Sequence, residues 1–378
     1  MMSASMSPNI QARSPGLWRL AWRRLRQDRL AMCALAVLSL YLLLVLLSAG
    51  GLVAADWSRE IAVNYAPPSF TGVPQGGENV HAGIALRPDV PPENPLDPLK
   101  DVLRQLRAQS GGAPPPADDY GVADPIGPAL AEIRRAIAEN DKANGKAIEG
   151  VRRATLPLGA DKWGHDIIKK TIKGSETSIV VGLVAAFLAT LLGTLFGAVA
   201  GYFGKAVDDF FNWFYSIFTA VPNLLLIMAV AAVLQHKGVA TVVLILALTG
   251  WTGTFRLMRA EYMKHKAREY VLAADAIGAS HWRKMFSHIF PNVSHVALVQ
   301  MSILSVSFIK YEVILSFLGF GVPVGVVSWG SMLNEARNEL ILGKWWQLAA
   351  ASVAMAVLVT AFSLFTDALR DALDPKLN

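Results

Sequence analysis

The sequence predicts an all-α membrane protein of six transmembrane helices, and three observations carry that reading. Of the 378 residues, 53% are hydrophobic and only 17% charged, and the mean hydropathy is +0.38. That composition lies outside the ordinary soluble range. Six apolar stretches each approach the length of about twenty residues that crosses a hydrocarbon core. The charges collect between those stretches, so the net charge of +6 and the pI of about 9.4 describe topology. No nucleic-acid partner is expected from them. Cys33 is the single cysteine, which excludes an intramolecular disulfide and a cysteine metal cluster.

Residues 1–29 form a basic N-terminal segment with six arginines against one acid, Asp28. Residues 30–55 carry no charge and make the first span. A cleaved signal peptide is the competing reading, but the apolar run is too long for a typical signal. The positive-inside rule places the N-terminus in the cytoplasm and residue 56 onward outside. Residues 56–155 then hold 13 of the 20 prolines, with eleven basic and fourteen acidic residues. They read as an extracytoplasmic, proline-rich insertion with two helical patches, 99–109 and 128–140. Its apolar content is thin for an independent core.

Residues 156–378 read as the core, with five further spans. The stretch 158–182 is amphipathic, with lysines suited to a membrane interface. The span 177–204 carries Gly193, Gly197 and Gly201, a small-residue stripe for close helix packing. The span 210–234 contains Pro222, which predicts a kink. The span 238–255 leads into a polar stretch, 256–291, with seven Lys/Arg against three acids. There, two helical runs, 260–276 and 281–290, flank Gly278, Ala279 and Ser280. Gly278 can take the positive φ that ends a helix, and Ser280 can cap the next. Pro291 predicts a break. The spans 295–320 and 345–366 complete the set, with both termini inside. Lys310 and Glu312 are the only charges in a span. Two residues apart, they point in different directions and do not pair. Either Glu312 lines a path or fixes a gate, or both charges are satisfied at the outer interface or by a partner chain.

Several chemistries are missing. No GxxxxGK[ST] phosphate loop, HExxH or GxSxG occurs. His281, His288 and His295 are spaced by seven, but a break at Pro291 would spoil a metal face. No catalytic residues, bound cofactor or metal are expected.

Glu269-x3-Ala273-Ala274-x3-Gly278, followed by Ala279, Ser280 and Ile289-x-Pro291, resembles the EAA loop of ABC importer permeases in the dipeptide/oligopeptide/nickel family. Glu312, the run Leu315 to Gly319 with Ser316, then Gly321, Pro323 and Ser328-Trp329-Gly330 match the same pattern, as does the ending from Asp371. Lys310 is outside it, and Ala160 and His165 stand where the family has Thr and Arg. The resemblance implies a type I importer permease fold in the cell inner membrane, and a subunit without its own ATPase site. It implies that Glu269, Ala273, Ala274, Gly278, Ala279, Ser280 and Pro291 dock on an ATPase. Glu312, Lys310 and Ser316, in or beside the charged part of a span, are the translocation-path candidates. The implied partners are a homologous permease, two ABC ATPase subunits that use ATP and Mg, and an extracytoplasmic solute-binding protein. Di- or oligopeptides are the implied cargo, with nickel or another small solute as an alternative. The rival classes are an ion-coupled secondary transporter, which would show repeats or paired broken helices, and a membrane-embedded enzyme.

Overall fold

The computed structural model describes residues 17–72, 152–234, 236–323 and 325–373, with side chains from residue 22. The chain divides into two units, residues 1–72 with 155–378, and residues 73–154. The helical patches expected at 99–109 and 128–140 lie outside the described residues.

Among the described residues the first unit is helical, without strands. Helices α1 (Leu17–Gln27) and α2 (Arg29–Ala49) meet at Asp28, whose carboxylate accepts from the N–H groups of Leu30 and Ala31 at 2.8 and 3.2 Å. Helix α3 (Ile167–Phe203) follows, then α4 (Lys205–Thr219) with α5 (Asn223–Leu234), and α6 (Val239–Gly250) with α7 (Thr252–Lys266). The short α8 (Glu269–Ala276), the long α9 (His281–Phe317), α10 (Trp329–Ile341) and α11 (Trp346–Leu373) complete the unit. Helices α2, α3, α9 and α11 are each long and apolar enough to cross a membrane. The pairs α4–α5 and α6–α7, bent by 84° and 43°, bring the total to six if each is one span. The expected kink at Pro222 falls in the sharper bend.

Four expectations shift. Helix α3 begins at Ile167, ten residues before the expected span, because Asp166 caps it and the lysines of its first turns all find carboxylates. The helix predicted over 260–276 is two helices. Arg268 between them adopts φ −79°, ψ 146°. Pro291 does not break the chain, so the reason given against a shared histidine face does not hold. Residues Lys284–Ile289 widen into a π-helix, and the Phe290 N–H reaches back five residues to the Met285 carbonyl. The extra residue makes room for the proline ring and its missing donor. Helix α10 was not foreseen at all.

Packing follows membrane logic, with small residues inside and large ones outside. On α3, Ala185, Ala186 and Ala189 are buried while Phe187, Leu191 and Leu195 are exposed. The glycine stripe faces α7. Cβ atoms at Gly193, Gly197 and Gly201 would stand 2.6, 2.7 and 2.5 Å from the carbonyl oxygens of Trp251, Phe255 and Arg259. Gly182 likewise admits Ile309 of α9. Helix α3 is thus the element on which α6, α7 and α9 are all assembled.

Candidate functional site

Three constellations lie along α3, and the hairpin is at one end. Helix α8 closes with a Schellman arrangement. The Ala279 N–H donates to the Ala274 carbonyl at 3.0 Å, and the Gly278 N–H to Asp275 at 2.9 Å. Gly278 has φ +78°, as its position requires. The Ser280 hydroxyl then accepts from the Arg283 N–H at 3.4 Å and starts α9. Tertiary contacts hold the turn. Val271 is buried among Met285, Ile289 and Tyr262, and Ala274 is buried too. Lys284 pairs with Asp275, and its hydrogen bond and charge hold the Asp275 carboxyl below the usual range. Tyr202 of α3 bonds His281 at 2.9 Å.

Of the residues expected here, Glu269, Ala273, Gly278, Ser280 and Pro291 are exposed, Ala279 is half-buried and Ala274 buried. Pro291 lies on α9 rather than in the turn. Beside Glu269 the hairpin presents Leu272, Ile277 and Trp282 to the outside, Ile277 at 82% exposure. Sequence reasoning passed over these three, although an apolar residue in a basic, otherwise polar loop is the signal for a contact surface.

The second constellation lies nearer the start of α3 than its hairpin end. Glu312 of α9 is completely buried. Its carboxylate accepts from Ser178 of α3 at 2.6 Å and from Ser316 at 2.7 Å. The Trp329 N–H donates to the Ser178 hydroxyl at 3.2 Å, so α10 joins the same knot. Gly330 permits it, since a Cβ there would stand 2.5 Å from that of Ser316. Lys310 is exposed on another side of α9 and does not meet Glu312. The sequence brought Glu312 and Ser316 forward but gave no sign of Ser178.

The third constellation closes the other end of α3. Lys170 is 3% exposed and reaches Asp161 and Glu335, each at 2.6 Å. His165 bonds Asp161 at 3.0 Å, and Gln347 of α11 bonds Glu335 at 3.1 Å. Trp346 donates to the Ala160 carbonyl at 2.8 Å. Burial pushes Asp161 up, but the charge and hydrogen bond of Lys170 outweigh it, and its carboxyl titrates below the ordinary range. Glu339 of α10 is 2% exposed, and among the described residues neither carboxylate oxygen has a hydrogen-bond partner. Burial first, then the charges of Asp161 and Glu335 against that of Lys170, carry it up to about 7.

A carboxyl raised in the folded state binds its proton more tightly there than in the unfolded chain, where 4.5 is the ordinary value. Its support for the fold is complete below about 4.5 and is lost as pH rises through about 7. Thermal unfolding of the purified protein should therefore shift to lower temperature between roughly pH 5.5 and roughly pH 8.5. Glu339→Gln, which imitates the protonated acid, should flatten that part of the dependence. Equal slopes in the two proteins would refute the assignment.

The sequence profile of the family described as binding-protein-dependent transport system inner membrane component matches residues 193–378. That of the N-terminal TM domain of oligopeptide transport permease C matches residues 16–68. The dipeptide transport system permease protein DppC of Bacillus subtilis is 34% identical over 235 residues, 61% of this chain and 73% of the relative. The oligopeptide transport system permease protein OppC of the same organism is 36% identical over 220 residues, 58% of this chain and 72% of the relative. DppC of Haemophilus influenzae is 36% identical over 229 residues, 61% and 77% of the two chains. With its multi-pass helical core and these relatives, the chain belongs to the family of binding-protein-dependent transport system inner membrane components, in the branch that holds the dipeptide and oligopeptide permeases.

Proposed function

We propose that this chain is one half of the translocation pathway of an ATP-driven importer of di- or oligopeptides. The observation that carries the proposal is the hairpin. Its turn is fixed by backbone hydrogen bonds and a buried core, yet Glu269, Leu272 and Ile277 remain exposed beside it. A rigid surface of that kind suits transmission of a push better than a flexible loop does. ATPase subunits, using ATP and Mg, dock there on the cytoplasmic side. A second, homologous permease completes the path, and a solute-binding protein delivers cargo at the opposite end, where residues 56–155 stand as an extracytoplasmic insertion. Glu312 and Ser316 hold α3, α9 and α10 together and act as a gate. Lys310 faces the path or the partner permease, because a lone cation turned to lipid is costly.

The test is uptake into proteoliposomes holding the chain, its partner permease and their ATPase subunits, with the solute-binding protein and its peptide supplied on the cargo side. Peptide accumulation should require ATP inside the ATPase compartment and survive collapse of proton and sodium gradients. Uptake driven by an ion gradient without ATP would overturn the proposal in favour of a secondary transporter.

The orientation has its own test. With Cys33 replaced by alanine, a cysteine at Phe70, which is exposed, should react with an impermeant thiol reagent outside intact cells. One at Ile277 should react only after permeabilisation. The reverse pattern would invert the topology.

A further inference from the structure

We propose that α1 is a lipid-binding surface helix whose arginines recognise the anionic phospholipid headgroups of the leaflet at the hairpin end. The inference rests on the position of α1, its pattern and its exposure, none of which the transport cycle uses.

Position comes first, and two anchors fix it. Helix α1 runs into α2 across the single residue Asp28, and α2 is apolar from its second residue. Helix α1 therefore begins and ends within reach of the point where a span enters the bilayer. Its other anchor is the end of α11. Leu25 is buried, and Arg24, Leu25 and Asp28 share a cavity with Ala368, Asp371 and Ala372. Those residues follow Thr366, where the apolar run of α11 stops and Asp367, Arg370 and Asp371 begin. Both anchors set α1 at the polar edge of the hydrocarbon.

The pattern fits that level. The helix reads LWRLAWRRLRQ. Trp22 and Leu25 stand three residues apart on one side of the helix, and Arg23 and Arg26, also three apart, fall on the adjoining side. A basic amphipathic helix with tryptophan lies in the interface, the ring among the acyl ends and the charges at phosphate depth. Exposure agrees. Trp22, Arg23, Arg26 and Arg29 are all exposed, while Leu25 is turned inward. The positive charge of these arginines draws them to the phosphates of anionic lipid. Asp28 is the one acid beside Arg23, Arg26 and Arg29, and its carboxylate is engaged in capping α2, so the exposed charge here is predominantly basic. A protein partner would have to supply acids at the level of the headgroups, where the leaflet already offers them at high density.

The experiment uses the complex with its partner subunits, extracted with native lipid in polymer-bounded discs. The ratio of phosphatidylglycerol to phosphatidylethanolamine in the discs is compared with that of the bulk membrane. The wild-type complex should be enriched in the anionic lipid. The triple variant R23Q/R26Q/R29Q should lose most of that enrichment, an effect of about threefold or more, while inserting normally. R23K/R26K/R29K should keep it, because the charge remains. An equal ratio in the wild-type and glutamine variants would overturn the proposal. So would loss of a partner subunit with the lipid ratio unchanged, which would assign the face to a protein. Loss of enrichment in the lysine variant as well as the glutamine variant would overturn it in favour of a packing role.

Discussion

Gly278→Leu is expected to abolish ATP-driven transport, by tenfold or more, while leaving the protein folded in the membrane. The turn has φ +78° at this residue, a conformation that costs a side-chain-bearing residue on the order of 1 kcal/mol or more. That strain is small for the whole protein but local. It falls on the Schellman bonds from Gly278 to Asp275 and from Ala279 to Ala274, which set the angle between α8 and α9. Among the described residues no atom lies within 4 Å of the added Cβ, so the leucine projects outward, into the surface proposed to meet the ATPase. Glu269→Ala should give the same phenotype by a different route. It removes the exposed charge at the first turn of α8 without touching the backbone. Substrate-stimulated ATPase activity of reconstituted complexes reads both variants. Wild-type activity in both would remove the hairpin from the coupling role, whereas loss of the protein from the membrane would mean that the turn serves folding.

Gly197→Leu carries the largest expected effect on stability. A Cβ at 197 would press on the Phe255 carbonyl at 2.7 Å, on the Met258 Cβ at 2.8 Å and on the Arg259 N at 2.9 Å. Two of those three atoms are helix backbone, which cannot turn aside as a side chain can. Even Gly197→Ala should therefore lower the unfolding midpoint, at a cost of roughly 1–3 kcal/mol typical of overpacking. The leucine should force α3 and α7 apart and prevent accumulation of folded protein. Gly253→Ala is the control, since among the described residues no atom lies within 4 Å of a Cβ there, and it should be close to neutral. Equal midpoints for the Gly197→Ala and Gly253→Ala proteins would show that the two helices are not closely packed at this level.

The parts of the molecule that could be read from the sequence are those governed by local rules. Apolar run length gives the spans, and the chemistry of glycine and serine gives the turn at 278–280. The glycine stripe announced a close contact, though not that α7 was the partner. The rest depends on residues far apart in the chain. Lys169 and Lys170 read as lysines of a membrane interface ahead of the span, because the carboxylates that hold them, Asp56, Asp161 and Glu335, cannot be paired with them from sequence, the first and last lying more than a hundred residues away. Ser178 and Glu312 are separated by 134 residues. Helix α10 starts with Ser328 and Ser331 capping each other. That pair lacks the glutamate or glutamine that usually marks a capping box in sequence. Pro291 misled because the rule for proline assumes α geometry, and a π turn relaxes it. Leu272 and Ile277 were missed because conspicuous alanines and a glycine surrounded them.

Helix α3 is unbroken over its 37 residues, and its two ends are tied differently. At one end Lys170 is held by carboxylates from two sides, and at the other Tyr202 touches His281 where the hairpin begins. A rod of this kind is about 55 Å long at 1.5 Å per residue. Pivoting it by about 5° at one end sweeps the other through about 5 Å, close to one helical pitch. For the proposed coupling, a lever of that ratio would need little displacement at the hairpin end to move the far end by about a full turn of helix. Stiffness, rather than any single side chain, is then the property of α3 that such coupling would use.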